Sequence, residues 1–133
     1  MNKDKKIILS VDCMGGDNSM DDILGGIKRF CSENNNDTLI LHGDKKTITK
    51  SLDKYPEIKQ MCKIKHCSKI IQMGDKPSQS IRGGRNSSMW NSIESVKTSK
   101  AEVAVSCGNT GSLMAISTLL LRKQPEVKRP AIA

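Results

Sequence analysis

A chain of 133 residues with 36% hydrophobic and 27% charged side chains has the size and composition of one domain with a real core. No apolar run is long enough to cross a bilayer, and the short apolar segment near the N-terminus ends at Asp12, which argues against a signal peptide. The net charge of +8 is spread along the chain, without the dense Lys/Arg block or interleaved aromatic residues of nucleic-acid-binding proteins. These features predict a cytoplasmic protein that does not bind nucleic acid. The basic charge favours an acidic partner, and a Lys-rich composition spread along the chain, without a particular partner, is the alternative interpretation.

The five cysteines show no metal-site spacing. None forms a CxxC pair or stands at ligand spacing from a histidine, so their pattern predicts no zinc site and no catalytic thiol. Small, partly buried side chains in a reducing compartment account for them. The sequence gives no signature of a cofactor either, so we predict none.

The first half of the chain alternates strands with helices. The run KIILSVD ends at Asp12 and predicts a strand, and Ser19 with Asp22 three residues later predicts the start of a helix. Apolar side chains then recur as on one face of a helix, at Ile23, Ile27 and Phe30. The segment TLILHG predicts a second strand over 38–43. Short helices are expected over 45–52 and near 56–61, followed by a weaker third strand over 64–67.

The second half begins with a loop over 70–77. Pro77 fits the first turn of a short helix that ends at Arg82. An amphipathic helix is expected from Ser87 to about Lys97, and AEVAVS predicts a strand over 101–106. The segment SLMAISTLLL predicts a helix that is apolar on most faces, and we therefore expect it to be buried.

This alternation is typical of βαβ units and predicts an α/β domain with a mainly parallel sheet covered by helices on both faces. The chain shows no internal repeat and no linker, so we predict one domain. Ligands bind at the carboxyl ends of the strands in such sheets. Two glycine-bearing turns follow strands, DCMGGDN (12–18) and SCGNTG (106–111), and they should open on the same edge of the sheet.

The turn SCGNTG has the composition of an anion site. Gly108 and Gly111 bracket Asn109 and Thr110 at the start of a helix, where backbone N–H groups and the helix dipole favour negative charge. Neither GK[ST] nor GxGxxG is present, so the turn is not one of the standard nucleotide loops. A tight turn with Thr110 capping the helix is the alternative interpretation.

The turn DCMGGDN carries two carboxylates, which would repel a phosphate unless they bind something themselves. Asp12 and Asp17 are expected to order this loop, with Mg²⁺ coordination beside a phosphate as the second interpretation. Arg82 and Arg85 carry planar guanidinium groups suited to a phosphate or a carboxylate. A solvated loop is the alternative for both, and we favour it for Arg85.

Five segments, in their order and spacing, resemble the PlsX family, the phosphate:acyl-[acyl-carrier-protein] acyltransferases of bacterial phospholipid synthesis. They are VDCMGGDN, IIQMGDKPSQSIR, NSSM, SCGNTGSLM and RPAIA. Cys13 and Cys107 stand where the family usually has Ala, and Gly83-Gly84 replaces a usually Lys-rich stretch. Family members are more than twice as long, so residues 1–133 are expected to form the N-terminal portion of a single α/β acyltransferase domain.

The resemblance implies a Rossmann-like α/β/α sandwich of the isopropylmalate-dehydrogenase or phosphotransacetylase type, active as a homodimer. It also implies a reaction in which acyl carrier protein gives its fatty acyl group to inorganic phosphate, forming acyl-phosphate and free carrier protein. Membrane-associating helices would come from segments that this chain lacks. The whole protein is accordingly expected in the cytoplasm, peripherally at the inner face of the membrane.

Under this resemblance the loops are interpreted as an active site. A thioester needs positioning and a donor for its oxyanion, and Asn109 and Thr110 are predicted to be catalytic. Asp12 and Asp17 are predicted to order the first loop rather than transfer protons. The residues predicted to bind phosphate or substrate are Gly15, Gly16, Arg82, Ser106, Gly108, Asn109, Thr110 and Gly111.

Two other functions remain open from the sequence. One is an α/β enzyme of dehydrogenase type that binds a phosphometabolite or nucleotide. Two observations argue against it: the GxGxxG motif is missing, and Asp44 is the only acidic residue after the second strand that could bind a ribose. The other is a non-catalytic basic module, the remnant of a truncated gene.

Overall fold

The computed structural model describes residues 5–131 and contains a four-stranded sheet in which every strand pair is parallel. The strands lie in the order β3-β2-β1-β4, which is typical of a doubly wound sheet. Their bounds are β1 Ile8–Asp12, β2 Thr38–Gly43, β3 Cys62–His66 and β4 Val103–Ser106. The helices are α1 Met20–Glu33, α2 Lys45–Leu52, α3 Pro77–Gly83, α4 Ser88–Lys97 and α5 Thr110–Leu121. The predicted α/β class and parallel sheet are confirmed.

Two apolar clusters lie on opposite faces of the sheet. The cluster under α1 and α2 contains these buried side chains: Val11, Cys13, Leu24, Ile27, Cys31, Leu39, Leu41, Ile48, Leu52 and Ile58. The smaller cluster under α4 and α5 contains Ile71, Met89, Trp90, Ile93 and Ile116. Because side chains of a strand alternate between its faces, β1 supplies Leu9 and Val11 to the α1 side and Ser10 and Asp12 to the α4 side.

The start of α1 is fixed by the predicted cap. The backbone N–H of Asp22 donates to the Ser19 hydroxyl at 3.1 Å, and the backbone N–H of Ser19 donates to the Asp22 carboxylate at 3.1 Å. This reciprocal pair is a capping box, and it satisfies two donors that the first turn would otherwise leave unpaired. The amide of Asn34 closes the other end by donating to the Phe30 carbonyl.

A polar layer interrupts the α4 side of the sheet at His42. Its Nε2 atom lies 2.9 Å from the Ser10 hydroxyl and 3.3 Å from the Ser95 hydroxyl, and only 3% of the residue is exposed. Burial disfavours the charged ring and lowers the pKa of His42 to about 4. The ring is therefore neutral at physiological pH.

Several predicted elements have different bounds in the structure, and β4 begins at Val103 rather than at residue 101. The helix expected near 56–61 is a single 3₁₀ turn, Lys59–Met61, because β3 begins immediately afterwards and leaves no room for a longer helix. The third strand begins at Cys62 rather than Ile64, and it ends at His66. The last helix begins at Thr110, two residues before the predicted start, because Asn109 acts as its cap.

The expectation that this last helix is buried is wrong for most of its length. Only Ser112 and Ile116 of α5 are buried, whereas Leu119 and Leu121 are 49% and 41% exposed. The helix packs mainly against α3 and α4 among the described helices and strands. At the sheet edge, Val103 and Val105 of β4 are also exposed, on the α1 side. None of the helices in 5–131 has the length and apolar character needed to span a bilayer.

Candidate active site

The two glycine-bearing turns meet where the direction of strand order reverses. The chain passes outward from β1 to β2 and β3, and then returns to the other side of β1 as β4. Ligand crevices of doubly wound sheets lie at this switch point, beyond the carboxyl ends of the strands. We call residues 13–18, after β1, the first glycine loop and residues 107–111, after β4, the second glycine loop. Their predicted position on one edge is confirmed.

Glycine is required where the loops touch. Gly15 and Gly16 both have positive φ, +85° and +79°, a conformation that costs other L-residues free energy. A Cβ atom on Gly16 would also overlap the carbonyl oxygen of Cys107 in the second glycine loop. The glycine pair therefore permits both the sharp turn and the direct contact between the loops.

A buried carboxylate connects the two loops. Asp12 is 4% exposed, and one of its oxygens accepts from the backbone N–H of Met14 at 3.1 Å. The other oxygen accepts from the Ser106 hydroxyl at 2.7 Å, and the Ser106 oxygen accepts in turn from the backbone N–H of Gly108 at 3.1 Å. Burial raises the pKa of Asp12, although these hydrogen bonds oppose the rise. Asp12 thus has the contacts that its predicted loop-ordering role requires.

Asn109 has a different role from the predicted oxyanion donor. Its side-chain oxygen accepts from the Ser112 backbone N–H at 3.1 Å and caps α5. Its amide nitrogen donates to a third loop, residues 72–75, through the carbonyls of Gln72 (3.2 Å), Met73 (3.1 Å) and Asp75 (2.7 Å). The side chain is 8% exposed. Both amide hydrogens are therefore engaged within the protein, and in this conformation the side chain has no donor for a substrate.

Backbone donors remain available in both glycine loops. Within the described chain, the N–H groups of Gly15, Gly16, Thr110 and Gly111 have no hydrogen-bond acceptor. Two of them belong to the first glycine loop, and the other two open the first turn of the twelve-residue helix α5. Unpaired N–H groups at a helix N-terminus, assisted by the helix dipole, favour a bound anion. The arrangement suits a phosphate or a developing oxyanion.

The structure does not bring every predicted site residue into this cradle of N–H groups. Thr110 is the first residue of α5 and is exposed, and the alternative in which it caps the helix is wrong because Asn109 does so. Asp17 is exposed and, over residues 5–131, forms neither a hydrogen bond nor an ion pair, so nothing here supports its ordering role. Arg82 lies exposed in the last turn of α3, likewise without a partner in the described structure.

Arg85 is exposed, as the solvated-loop interpretation predicts, but its guanidinium also contacts one side chain. Its guanidinium carbon lies 5.8 Å from the centre of the Trp90 ring, within the range of a cation–π contact. Because Trp90 is 4% exposed and belongs to the cluster under α4, Arg85 covers a core residue. This contact gives Arg85 a packing role.

Sequence reasoning missed the support that α3 gives to the second glycine loop. Gly111 lies against the ring of Pro77, with only 3.1 Å from a Cβ atom at Gly111 to the nearest ring carbon. The hydroxyls of Ser80 and Ser112 are 2.6 Å apart and join α3 to α5 in the interior. Pro77 signalled the helix start, but no local pattern in the sequence pairs two serines 32 positions apart.

Comparison with known proteins assigns a family to this chain. A family described as "Fatty acid synthesis protein" matches residues 7–133. The chain belongs to this family. Its curated relatives include the phosphate acyltransferases of Cereibacter sphaeroides (47% identical over 96% of the chain), Caulobacter vibrioides (43% over 96%) and Roseobacter denitrificans (43% over 98%).

The curated relatives that match this member of the fatty acid synthesis family are much longer than the chain. The alignments cover 35%, 36% and 37% of the three relatives, so the chain spans about a third of their length. The aligned part contains both glycine loops, Asp12 and the third loop, because it covers nearly the whole chain. The predicted resemblance is confirmed.

Proposed function

We propose that this chain supplies the phosphate-binding part of an acyltransferase that moves a fatty acyl group from acyl carrier protein to inorganic phosphate, forming acyl-phosphate. The observation that carries the proposal is that the N–H groups of Gly15, Gly16, Thr110 and Gly111, in two glycine loops that touch each other, have no acceptor in the described chain. The relatives are named phosphate acyltransferases, and the name fits a site that favours a small anion.

The proposed reaction does not require a side chain that acts as a strong acid or as a nucleophile. Phosphate is already an anionic nucleophile near neutral pH, and a thiolate whose conjugate thiol has a pKa of about 8.5 leaves without strong acid catalysis. The site must hold phosphate against the thioester carbonyl and stabilise the oxyanion that forms. Backbone N–H groups of Thr110 and Gly111 are suited to this task. Asn109 contributes by holding the second glycine loop in place.

The donor is proposed to be acyl carrier protein because the chain carries a net charge of +8, which favours association with an acidic protein. The homodimer and the peripheral attachment to a membrane that the family resemblance implies stay predictions for the whole protein. Both concern a protein of the relatives' full length.

Phosphate binding is the first test. We expect inorganic phosphate to raise the melting temperature of the chain, since a ligand at 100 times its Kd stabilises by about 2.7 kcal/mol. Sodium chloride at equal ionic strength should not. Gly108→Val should abolish the shift, because a Cβ atom there would lie 3.0 Å from the Met89 methyl and 3.2 Å from the Ser106 hydroxyl. Gly74→Ala is the matched control, since a Cβ atom there meets nothing within 4 Å.

Acyl transfer needs a second test. Residues 1–133 can replace the matching segment of the Cereibacter sphaeroides phosphate acyltransferase, which aligns over 96% of the chain. The chimera should form acyl-phosphate from acyl-carrier-protein thioester and phosphate. A chimera that melts cooperatively yet forms none, beside an active parent enzyme, would refute the proposed function and favour a non-catalytic segment.

A further inference from the structure

An apolar pocket opens beside the two glycine loops. It has a volume of about 360 Å³ and lies between α1 and the β1–β4 half of the sheet. Its mouth includes Asn18 of the first glycine loop and Cys107 of the second. Ligand pockets are usually apolar with a few polar groups, and their volumes begin at about 300 Å³. The size and position of this pocket are therefore those of a substrate subsite.

The walls of the pocket are suited to a hydrocarbon chain. Helix α1 contributes Ile23, Ile27 and Phe30, and the sheet contributes Leu9 and Val105. Because α1 starts at the carboxyl edge and runs antiparallel to the strands, the lining extends from the loops toward Phe30, about 15 Å from the start of the helix at 1.5 Å per residue. No charged residue lines its deeper part, since the two acidic lining residues, Asp12 and Asp22, belong to the strand end and the first helical turn near the loops.

We infer that this pocket binds the acyl chain of the thioester donor, with the thioester carbonyl at the glycine loops and the hydrocarbon along α1. The inference rests on the function proposed above, because only an acyl donor places a hydrocarbon chain next to the cradle. The pocket begins where the phosphate must attack, so its depth along α1 selects the chain length. Phe30 lies at the far end and limits that depth.

Adjacent glycines of α1 provide a matched pair of variants. Gly26 lines the pocket whereas Gly25 does not, and a Cβ atom on either meets nothing within 4 Å. Replacing either by leucine improves helix propensity to the same extent, so both variants should fold. Only Gly26→Leu places a side chain across the pocket.

The experiment measures binding of neutral acyl thioesters of N-acetylcysteamine to the chain by calorimetry. Affinity should rise from the butanoyl through the octanoyl to the dodecanoyl thioester. Gly26→Leu should weaken dodecanoyl binding by about tenfold, equivalent to about 1.4 kcal/mol, while Gly25→Leu leaves it unchanged. In the chimera, Gly26→Leu should raise the KM for dodecanoyl-carrier-protein and spare the butanoyl donor.

Failure of this inference is distinguishable from failure of the proposed function. If dodecanoyl binds no tighter than butanoyl, or the two leucine variants behave alike, the pocket does not take the acyl chain. The phosphate shift and acyl-phosphate formation then still support the acyltransferase. If Gly26→Leu prevents folding of the chimera while thioester affinity for the chain stays unchanged, a protein segment occupies the pocket and the inference is overturned.

Discussion

Asn109 offers the most direct test of how the candidate site is held together. Its oxygen caps α5 and its amide nitrogen holds the third loop, residues 72–75, and these two functions can be removed separately. Asn109→Ser keeps an oxygen that can cap the helix but removes the amide hydrogens. Asn109→Ala removes both. The comparison therefore separates helix capping from attachment of the third loop.

The structure sets the size of each effect. Loss of an N-cap costs about 1 kcal/mol, and the two amide hydrogens each make a hydrogen bond worth about 1 kcal/mol. We expect Asn109→Ser to lower the free energy of unfolding by about 2 kcal/mol and Asn109→Ala by about 3 kcal/mol. At roughly 4 °C per kcal/mol for a domain of this size, the melting temperature should fall by about 8 and 12 °C.

Urea unfolding followed by circular dichroism measures these changes, and Asn18→Ala is the control. Asn18 is exposed in the first glycine loop, and its replacement should change stability by less than about 0.5 kcal/mol. If Asn109→Ser were as stable as the unchanged chain, attachment of the third loop would be refuted. If that stable variant also lowered kcat of the chimera by roughly 10²–10³, the predicted oxyanion role of Asn109 would be supported.

Two further pairs of variants test the loop and the polar layer. Gly15→Ala should lower the free energy of unfolding by about 1–2 kcal/mol because Gly15 has a positive φ. Gly16→Ala should lower it further in thermal melts, because the added Cβ atom also overlaps Cys107. Equal losses of stability would contradict the described contact between the loops. Because the pKa of His42 is about 4 in the folded chain and 6.5 in the unfolded chain, its stabilising contribution is complete above pH 6.5 and falls by about 3 kcal/mol as the pH drops toward 4. Urea unfolding at pH 7 and 4.5 should show this loss of stability in the exposed control His66→Gln and a smaller loss in His42→Gln. If both variants lost the same stability between the two pH values, His42 would be excluded as its source.

The parts of the fold that sequence predicted well are those with local signals. Ser19 and Asp22 mark the start of α1 because a capping box needs only residues three apart. Pro77 marks the first turn of α3 because proline, which lacks an N–H group, fits a position where that group would be unpaired. The parallel sheet followed from alternation of strands and helices, and that alternation placed both glycine loops on one edge.

The sequence-based predictions were wrong where contacts between residues distant in sequence determine the structure. Both Asn109 and Thr110 are good cap residues, and the third loop, more than thirty positions earlier, selects Asn109 by accepting its amide hydrogens. Apolar composition predicted burial of α5, but burial depends on how many neighbours a helix has, and among the described helices and strands only α3 and α4 pack extensively against it. Arg85 gave no local sign that it would lie over Trp90.

The chain has one tryptophan and one tyrosine, and the sheet separates them. Trp90 is buried in the cluster under α4 and α5, beneath Arg85, whereas Tyr55 packs against the cluster under α1 and α2. Each face of the sheet thus has its own intrinsic chromophore, so ultraviolet spectroscopy can follow the two faces in one unlabelled sample. Coincident midpoints would identify a single cooperative unit. Separate midpoints would show which face of the sheet unfolds first. Repeating the measurement with phosphate would show whether phosphate at the glycine loops stabilises one face or both.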